Sequence, residues 1–332
     1  MILVTGATGL VGGHLMWHLL QKNEKVIAIK RITSNIKSLR TIFSFYTENP
    51  EAYLQKIEWR IANVMDVDSL GTVFEGIHVV YHCAAIVSLS NSGSELIETN
   101  VTGTRNIVKV SLNKNISKLC FVSSIAACGH TTDNQLIDEN TKWINNEHRS
   151  AYAQSKYLSE QEVWKGISGG LNAVIVNPGV ILGVSGTESG SSQLFSQVKK
   201  GLIFYTKGGS GYVDVQDVVN SMIVLTNSEI SNERYIIVAQ NCSNKEILSW
   251  MADGFKKRRP KIIIGKKLLL IIGFLSEMAA NIFKFTPLID RSMARSATNR
   301  EFYSNSKSLE IPNFKYKSVE KCIAEVCEFL QK

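Results

Sequence analysis

Short runs rich in β-branched and apolar residues alternate with longer helical stretches through the first half of the chain. That alternation predicts an α/β fold, a doubly wound parallel sheet closed by right-handed βαβ units. A glycine-rich turn lies where the first apolar run, "MILV", passes into a helical pattern, as such a sheet would begin. A length of 332 residues with 44% hydrophobic content exceeds one small domain, so a smaller α/β unit is expected beside the sheet.

The strands are expected near residues 2–4, 26–29, 57–61, 79–82, 119–122 and 173–176, with helices filling most of the gaps. Residues 183–211 are richer in Gly and Ser, and sheet-like patterns return at 212–215 and 235–238. This interleaving predicts a dinucleotide-binding domain over 1–182 with a returning segment at about 212–242. A substrate-binding domain then comprises 183–211 and 243–332. From Lys256 the pattern reads as helical and basic, ending in an amphipathic segment whose Val319, Ile323, Val326 and Leu330 share a face.

Composition excludes several classes. The formal charge of +8 suits nucleic acid, a membrane surface or an anionic cofactor, but no basic block alternates with aromatic residues, so no nucleic-acid partner is expected. The six cysteines are scattered without a C-x-x-C pair and read as reduced core residues; no metal site is expected. The first residues form a strand and not a charged, cleavable leader, so a cytoplasmic location is expected. The longest apolar run, 268–275, is too short to span a bilayer.

In "VTGATGLVGGHL", Gly6, Gly9 and Gly12 recur at three-residue spacing between strand and helix. Glycines there permit a tight turn, let backbone N–H groups approach a pyrophosphate, and let the helix pack close to the strand. In this context the motif predicts dinucleotide binding and a Rossmann-type sheet. An Asp or Glu at the end of the second strand would bond the ribose 2′-hydroxyl of NAD; "VIAIKR" offers Lys30 and Arg31 instead. Two cations suit a 2′-phosphate, so NADP(H) is favoured over NAD(H).

"SAYAQSKYLSE" places Tyr152 and Lys156 four residues apart, on one face of a helix. A tyrosine with an ordinary pKa of about 10 can exchange a proton near neutrality only if its phenolate is stabilised, which a neighbouring ammonium and an oxidised nicotinamide would do. Ser124, at the end of the fifth strand, could hydrogen-bond the substrate oxygen beside the phenol.

In order and interval, these features resemble the extended short-chain dehydrogenase/reductase superfamily, the NAD-dependent epimerase/dehydratase-like group. The resemblance covers most of the chain. Its motifs are "TGATGLVG" from Thr5, "HCAA" from His82, "NVTGT" from Asn100, "SSIAACG" from Ser123, "YAQSK" from Tyr152, "NPGVILG" from Asn177 and "YVDVQDV" from Tyr212. It implies that Tyr152 is the general acid/base, Lys156 the phenolate stabiliser and ribose ligand, and Ser124 the substrate-orienting hydroxyl, with Asn100 helping to fix the site. Ser124 is preferred to Ser123 because it lies five residues before Gly129; Ser123 then supports the strand end. The implied cofactor contacts are Gly6, Thr8, Gly9, Leu10, Val11, Gly12, Lys30, Arg31, Asn63, Val64, Cys83, Ala84, Ala85, Asn100, Tyr152, Lys156, Pro178 and Val180. Asn63 departs from the family pattern, which has an Asp there to contact adenine, although its side-chain carbonyl still accepts a hydrogen bond. His82 is read as packed beside the cofactor.

Three reactions compete. A reductase or dehydrogenase of a ketone, aldehyde or secondary alcohol would resemble the dihydroflavonol-reductase-like and 3β-hydroxysteroid-dehydrogenase-like branches. The others are a nucleotide-sugar epimerase or dehydratase that recycles NAD, and a non-catalytic dinucleotide sensor. The intact Ser124, Tyr152 and Lys156 argue against a sensor. Nucleotide-sugar relatives usually carry an Asn where this chain has Val180 and a Tyr where it has Leu182, so a less polar substrate is favoured. Arg258, Arg259, Arg291, Arg295 and Arg300 weigh lightly the other way, as possible diphosphate ligands. Specificity is expected to lie in 86–89, 183–194 and the C-terminal helices. The resemblance also suggests a homodimer through the helices containing 100–110 and 152–164. For the apolar helix "KKLLLIIGFLSEMAANIFKF", packing in a core, lid or dimer is favoured over peripheral membrane contact.

Overall fold

The computed structural model describes the chain apart from residues 23, 88–92, 132–134, 145–148, 188–189, 284–293 and 295. In order, its first half runs β1 (Ile2–Thr5), α1 (Leu10–Gln21), β2 (Val26–Lys30), α2 (Lys37–Ser44), α3 (Glu51–Leu54), β3 (Glu58–Ile61), α4 (Val67–Val73), β4 (Val79–His82), α5 (Gly93–Asn113), β5 (Lys118–Val122), α6 (Ala151–Ser168) and β6 (Ala173–Pro178). There follow β7 (Val180–Leu182), α7 (Ser191–Lys199), β8 (Phe204–Tyr205), β9 (Gly209–Asp214), α8 (Val215–Thr226), β10 (Glu233–Ile237), β11 (Gln240–Ser243), α9 (Asn244–Gly254), β12 (Ile262–Ile263) and α10 (Lys266–Phe283). Short helices at Ser306–Leu309 and Val319–Phe329 complete the described chain.

Seven strands make one sheet in the order β10-β6-β5-β4-β1-β2-β3, and every pairing is parallel. Parallel strands are covered on both faces, and alternation along each strand sends its residues to two cores. Val4, Ala28, Tyr81, Cys120 and Val174 pack on one side with Leu15, Val218 and Met222 of α1 and α8. Leu3, Ile27, Val80, Phe121 and Ile175 pack on the other with Ile107 and Val163 of α5 and α6. Burying one such aliphatic or aromatic side chain contributes about 1.5–3 kcal/mol.

The chain order reverses between β1 and β4, so a crevice opens at the strand ends Thr5 and His82, which are register partners. Beyond β6 the chain leaves for a second sheet, β11-β9-β7, and returns through α8 and β10. The strand expected at 212–215 begins earlier, at Gly209, and stops at Asp214, whose carboxylate caps α8 by accepting from the Gln216 N–H at 2.8 Å. A third core unites α7, α9 and the C-terminal helix, where Val319, Ile323 and Val326 are buried as the periodicity predicts and Leu330 packs at the margin.

The region after Lys256 is less helical than expected: 256–261 carry no regular structure, and Ile262 and Ile263 pair in parallel with Phe204 and Tyr205. The apolar helix α10 also differs. Leu269 and Gly273 turn inward, but Leu268, Ile271, Ile272, Leu275 and Met278 are exposed. Burial in the core is thus excluded for the outer face of α10, because apolar residues nearly all round this helix exceed the one face that the rest of the chain covers.

Glycine is required at the first turn. Gly6 has φ +66°, and a Cβ there would lie 2.6 Å from the Ala84 nitrogen; a Cβ on Gly12 would lie 2.2 Å from the Gly6 carbonyl oxygen. Neither neighbour is a side chain that can swing away. Gly12→Ala is expected to destabilise the protein by about 1–3 kcal/mol, the range for overpacking, seen as a lower midpoint in thermal unfolding. An unchanged midpoint would show that the turn relaxes freely.

Candidate active site

The glycine turn brings the N-terminus of α1 to the crevice. Gly9 caps that helix, and the Gly9 N–H bonds the Gly6 carbonyl at 2.9 Å. The first-turn N–H groups of a helix lack partners within it and carry the positive end of its dipole, so Leu10, Val11 and Gly12 present donors suited to an anion. Thr8 lies in the same turn and accepts from Ser38 Oγ at 2.8 Å through its carbonyl. The fit for a pyrophosphate rests on these helix-end donors and on a turn tight enough that a Cβ at Gly6 or Gly12 would strike neighbouring backbone atoms.

Beneath it, Thr5 Oγ1 is 2.7 Å from His82 Nδ1 and accepts the Ala84 N–H at 3.1 Å, tying β1 to the segment Cys83–Ala84–Ala85. Burial, with Lys156 nearby, pushes the His82 pKa down to about 3, so the ring is neutral and structural. At the other rim, Lys30 sets its ammonium 5.2 Å from the Trp59 ring centroid, and Arg31 is exposed. Asn63 is exposed as well; its Oδ1 already accepts from the Met65 N–H at 3.1 Å, which engages one of the lone pairs expected to meet adenine. Val64 packs under Gly103 of α5 and accepts from Asn106 through its carbonyl.

Ser150 caps α6 by accepting from the Ala153 N–H at 3.1 Å. This helix start puts Tyr152 at the end of β5 beside Ser124. Lys156, one turn on, is buried; its ammonium donates to the Val122 carbonyl at 2.8 Å and lies 5.4 Å from the Phe121 ring centroid. Burial lowers its pKa to about 8, with Cys83 and Glu160 opposing the shift. The phenol of Tyr152 does not show the depression expected from Lys156. Its pKa is raised by burial, and the pull downward comes from the Ser124 hydroxyl. The Lys156 ammonium instead gives a hydrogen bond to the Val122 backbone carbonyl.

Asn100 is a tie between elements. Its Oδ1 accepts the Ile86 N–H at 2.7 Å, and its Nδ2 donates to the Ile86 carbonyl and to Ser155 Oγ, both at 3.0 Å. It therefore fixes the chain after β4 against α6. Pro178 is buried at the end of β6, and Val180 follows in β7, half-buried.

Sequence reasoning missed the group that organises this site. Glu160, 1% exposed, accepts from Ser123 Oγ at 2.8 Å, Asn177 Nδ2 at 2.9 Å, Arg234 Nη1 at 2.9 Å and Trp164 Nε1 at 3.4 Å. Asn177 also donates to the Ser124 carbonyl at 2.9 Å. Ser123 thus faces inward as a support, and Ser124 is left beside the phenol. The clue in the sequence was a Glu one helical turn beyond Lys156, on the same face of α6 and so on the side turned to the sheet.

Other expectations fall elsewhere. Arg259 pairs with Asp253 at 2.7 Å and Arg300 lies over the Phe302 ring at 4.8 Å, while Arg291 and Arg295 lie outside the described residues, as do parts of the expected specificity segments, 88–89 and 188–189. The cysteines are free, with five of them buried.

Residues 2–238 match the NAD dependent epimerase/dehydratase family, and the chain belongs to that family. It is 26% identical to a putative dihydroflavonol 4-reductase of Synechocystis, over 99% of this chain and 94% of that protein. It is 27% identical to sterol demethylase protein B of Methylococcus capsulatus, over 83% of this chain and 80% of the relative. The fold matches that of DesIV, a dTDP-glucose 4,6-dehydratase from Streptomyces venezuelae solved with NAD and TYD bound, with a TM-score of 0.75 at 16% identity, covering 99% of this chain and 96% of that one. The protein is thus an extended short-chain dehydrogenase/reductase, an oxidoreductase that uses a nicotinamide dinucleotide.

The Glu160 network supplies a test. Replacing Glu160 by Gln removes the charge that pairs with Arg234 and helps keep Lys156 protonated. We expect a loss of about 3 kcal/mol, the low end for breaking a buried pair, in chemical unfolding. A Lys pKa lowered on folding favours the neutral amine, so Lys156 loses its proton as pH rises through about 8; without Glu160 that loss moves to lower pH. The alkaline limb of dinucleotide binding should move with it, and an unmoved limb would separate Glu160 from Lys156.

Proposed function

We propose that this chain is an NADP(H)-dependent reductase or dehydrogenase that interconverts a ketone or aldehyde with the corresponding alcohol. The observation that carries this reading is the meeting of Ser124 and Tyr152 at the end of β5, with the Lys156 ammonium one helical turn behind. The nicotinamide, when bound, supplies or accepts the hydride. Tyr152 gives its phenolic proton to the carbonyl oxygen as charge gathers there, and Ser124 hydrogen-bonds the same oxygen and holds it in line. Lys156, fixed by Val122, orients the ribose and lowers the cost of the phenolate.

In the reverse direction Tyr152 must first be deprotonated, and its raised pKa makes the dinucleotide-free protein a poor base. The positive charge of a bound oxidised nicotinamide would favour the Tyr152 phenolate, so competence for alcohol oxidation would depend on cofactor loading.

The surroundings support an apolar carbonyl substrate over a sugar nucleotide. Val180 and the fully buried Leu182 stand where a phosphate partner and a tyrosine would serve a nucleotide sugar. The dihydroflavonol-reductase and sterol-demethylase relatives point the same way. NADP(H) is preferred because exposed Arg31 and half-exposed Lys30 close β2 with no acid between them.

Tyr152→Phe should lower turnover by at least about a hundredfold, the scale of general acid catalysis, and leave dinucleotide affinity within about twofold. A variant retaining most of its turnover would remove Tyr152 from the mechanism. Lys30→Asp with Arg31→Ala should reverse the preference between NADPH and NADH in a fluorescence titration; unchanged affinities for both would sink the 2′-phosphate assignment.

A further inference from the structure

The outer face of α10 has no place in the reaction proposed above. Leu268, Ile271, Ile272, Leu275 and Met278 are each at least 38% exposed, and at 100° per residue they share one stripe of the helix. Two residues before α10, the short ladder of β8 and β12 adds exposed Phe204, Ile262 and Ile263, with Ile203 alongside. A soluble monomer rarely displays an aliphatic stripe of this length along one helix.

Charge gathers on the same segment. From Gly254 to Ser276 the chain carries Lys256, Lys257, Arg258, Arg259, Lys261, Lys266 and Lys267 and not one acidic residue. All seven are exposed; Arg259 pairs with Asp253, just upstream. Lys266 and Lys267 begin α10 itself. No helix among the described residues is long and apolar enough to cross a membrane. An apolar stripe along a helix flanked by cations is instead the arrangement that lies in the plane of a bilayer, with aliphatic side chains among the acyl chains and ammonium groups at the phosphates.

We propose that α10 and the β8–β12 ladder dock this protein peripherally on an anionic lipid surface. Charge favours lipid over a second copy of the chain. A two-fold interface built on this face would set its basic segment against the same segment of its partner, whereas a phosphate-bearing surface neutralises it. The proposal stands independently of which carbonyl is reduced, and it places the reductase where an apolar substrate would dissolve.

The test is flotation of the full-length protein with vesicles of phosphatidylcholine, with and without phosphatidylglycerol, at low and high salt. The protein should float only with the anionic vesicles and less so at high salt. Ile271→Glu with Leu275→Glu should abolish flotation, and Lys266→Gln with Lys267→Gln should weaken it roughly thirtyfold, at about 1 kcal/mol per basic residue. Both pairs are exposed, so thermal unfolding and dinucleotide binding should not change. Failure to float with anionic vesicles, or equal flotation of wild type and both variants, would overturn the proposal. So would a wild-type dimer that Ile271→Glu with Leu275→Glu splits into monomers, since a second copy would then own the face.

Discussion

A single buried carboxylate holds the working end of this fold together. Glu160 stands on α6, yet its donors come from the residue that follows β5 (Ser123), from β6 (Asn177), from β10 (Arg234) and from α6 itself (Trp164). A carboxylate taken out of water is costly unless its lone pairs are filled and its charge is matched. Here Arg234 supplies the opposite charge and the other donors fill the lone pairs. The strand ends that carry Ser124 and Pro178, and the helix that carries Tyr152 and Lys156, are thus referred to one point.

The same arrangement separates the two neighbouring serines. Ser123 gives its hydroxyl to Glu160 at 2.8 Å, and Ser124, which also caps the short turn after β5, keeps its hydroxyl beside the phenol. Strand alternation alone would send them to opposite sides; the carboxylate decides which side is the support and which the site. Asn100 acts likewise on the far side of α6, where it bonds both backbone groups of Ile86 and the Ser155 hydroxyl.

Burial also sets the resting protonation of the site. Lys156 is held near 8 and the Tyr152 phenol above its ordinary value, both by loss of water. Burial thus favours the protonated phenol. Val180 and the fully buried Leu182 make the space after β6 apolar as well.

The sequence by itself determined the parallel sheet and the glycine turn, and it singled out Ser124, Tyr152 and Lys156 as candidates, because these readings depend on local rules. Strands and helices announce themselves by period, Gly6 and Gly12 by a turn that only glycine can make, and Tyr152 and Lys156 by a helical spacing that fixes which face they share. Tertiary structure alone decided the rest. Glu160 gains its importance from partners 17 to 74 residues away, and no local pattern records such meetings. The phenol's raised pKa and the bare outer face of α10 likewise depend on what the folded chain does or does not bring near them. Periodicity shows that a helix is apolar, but only packing shows which of its faces the chain has enough partners to cover.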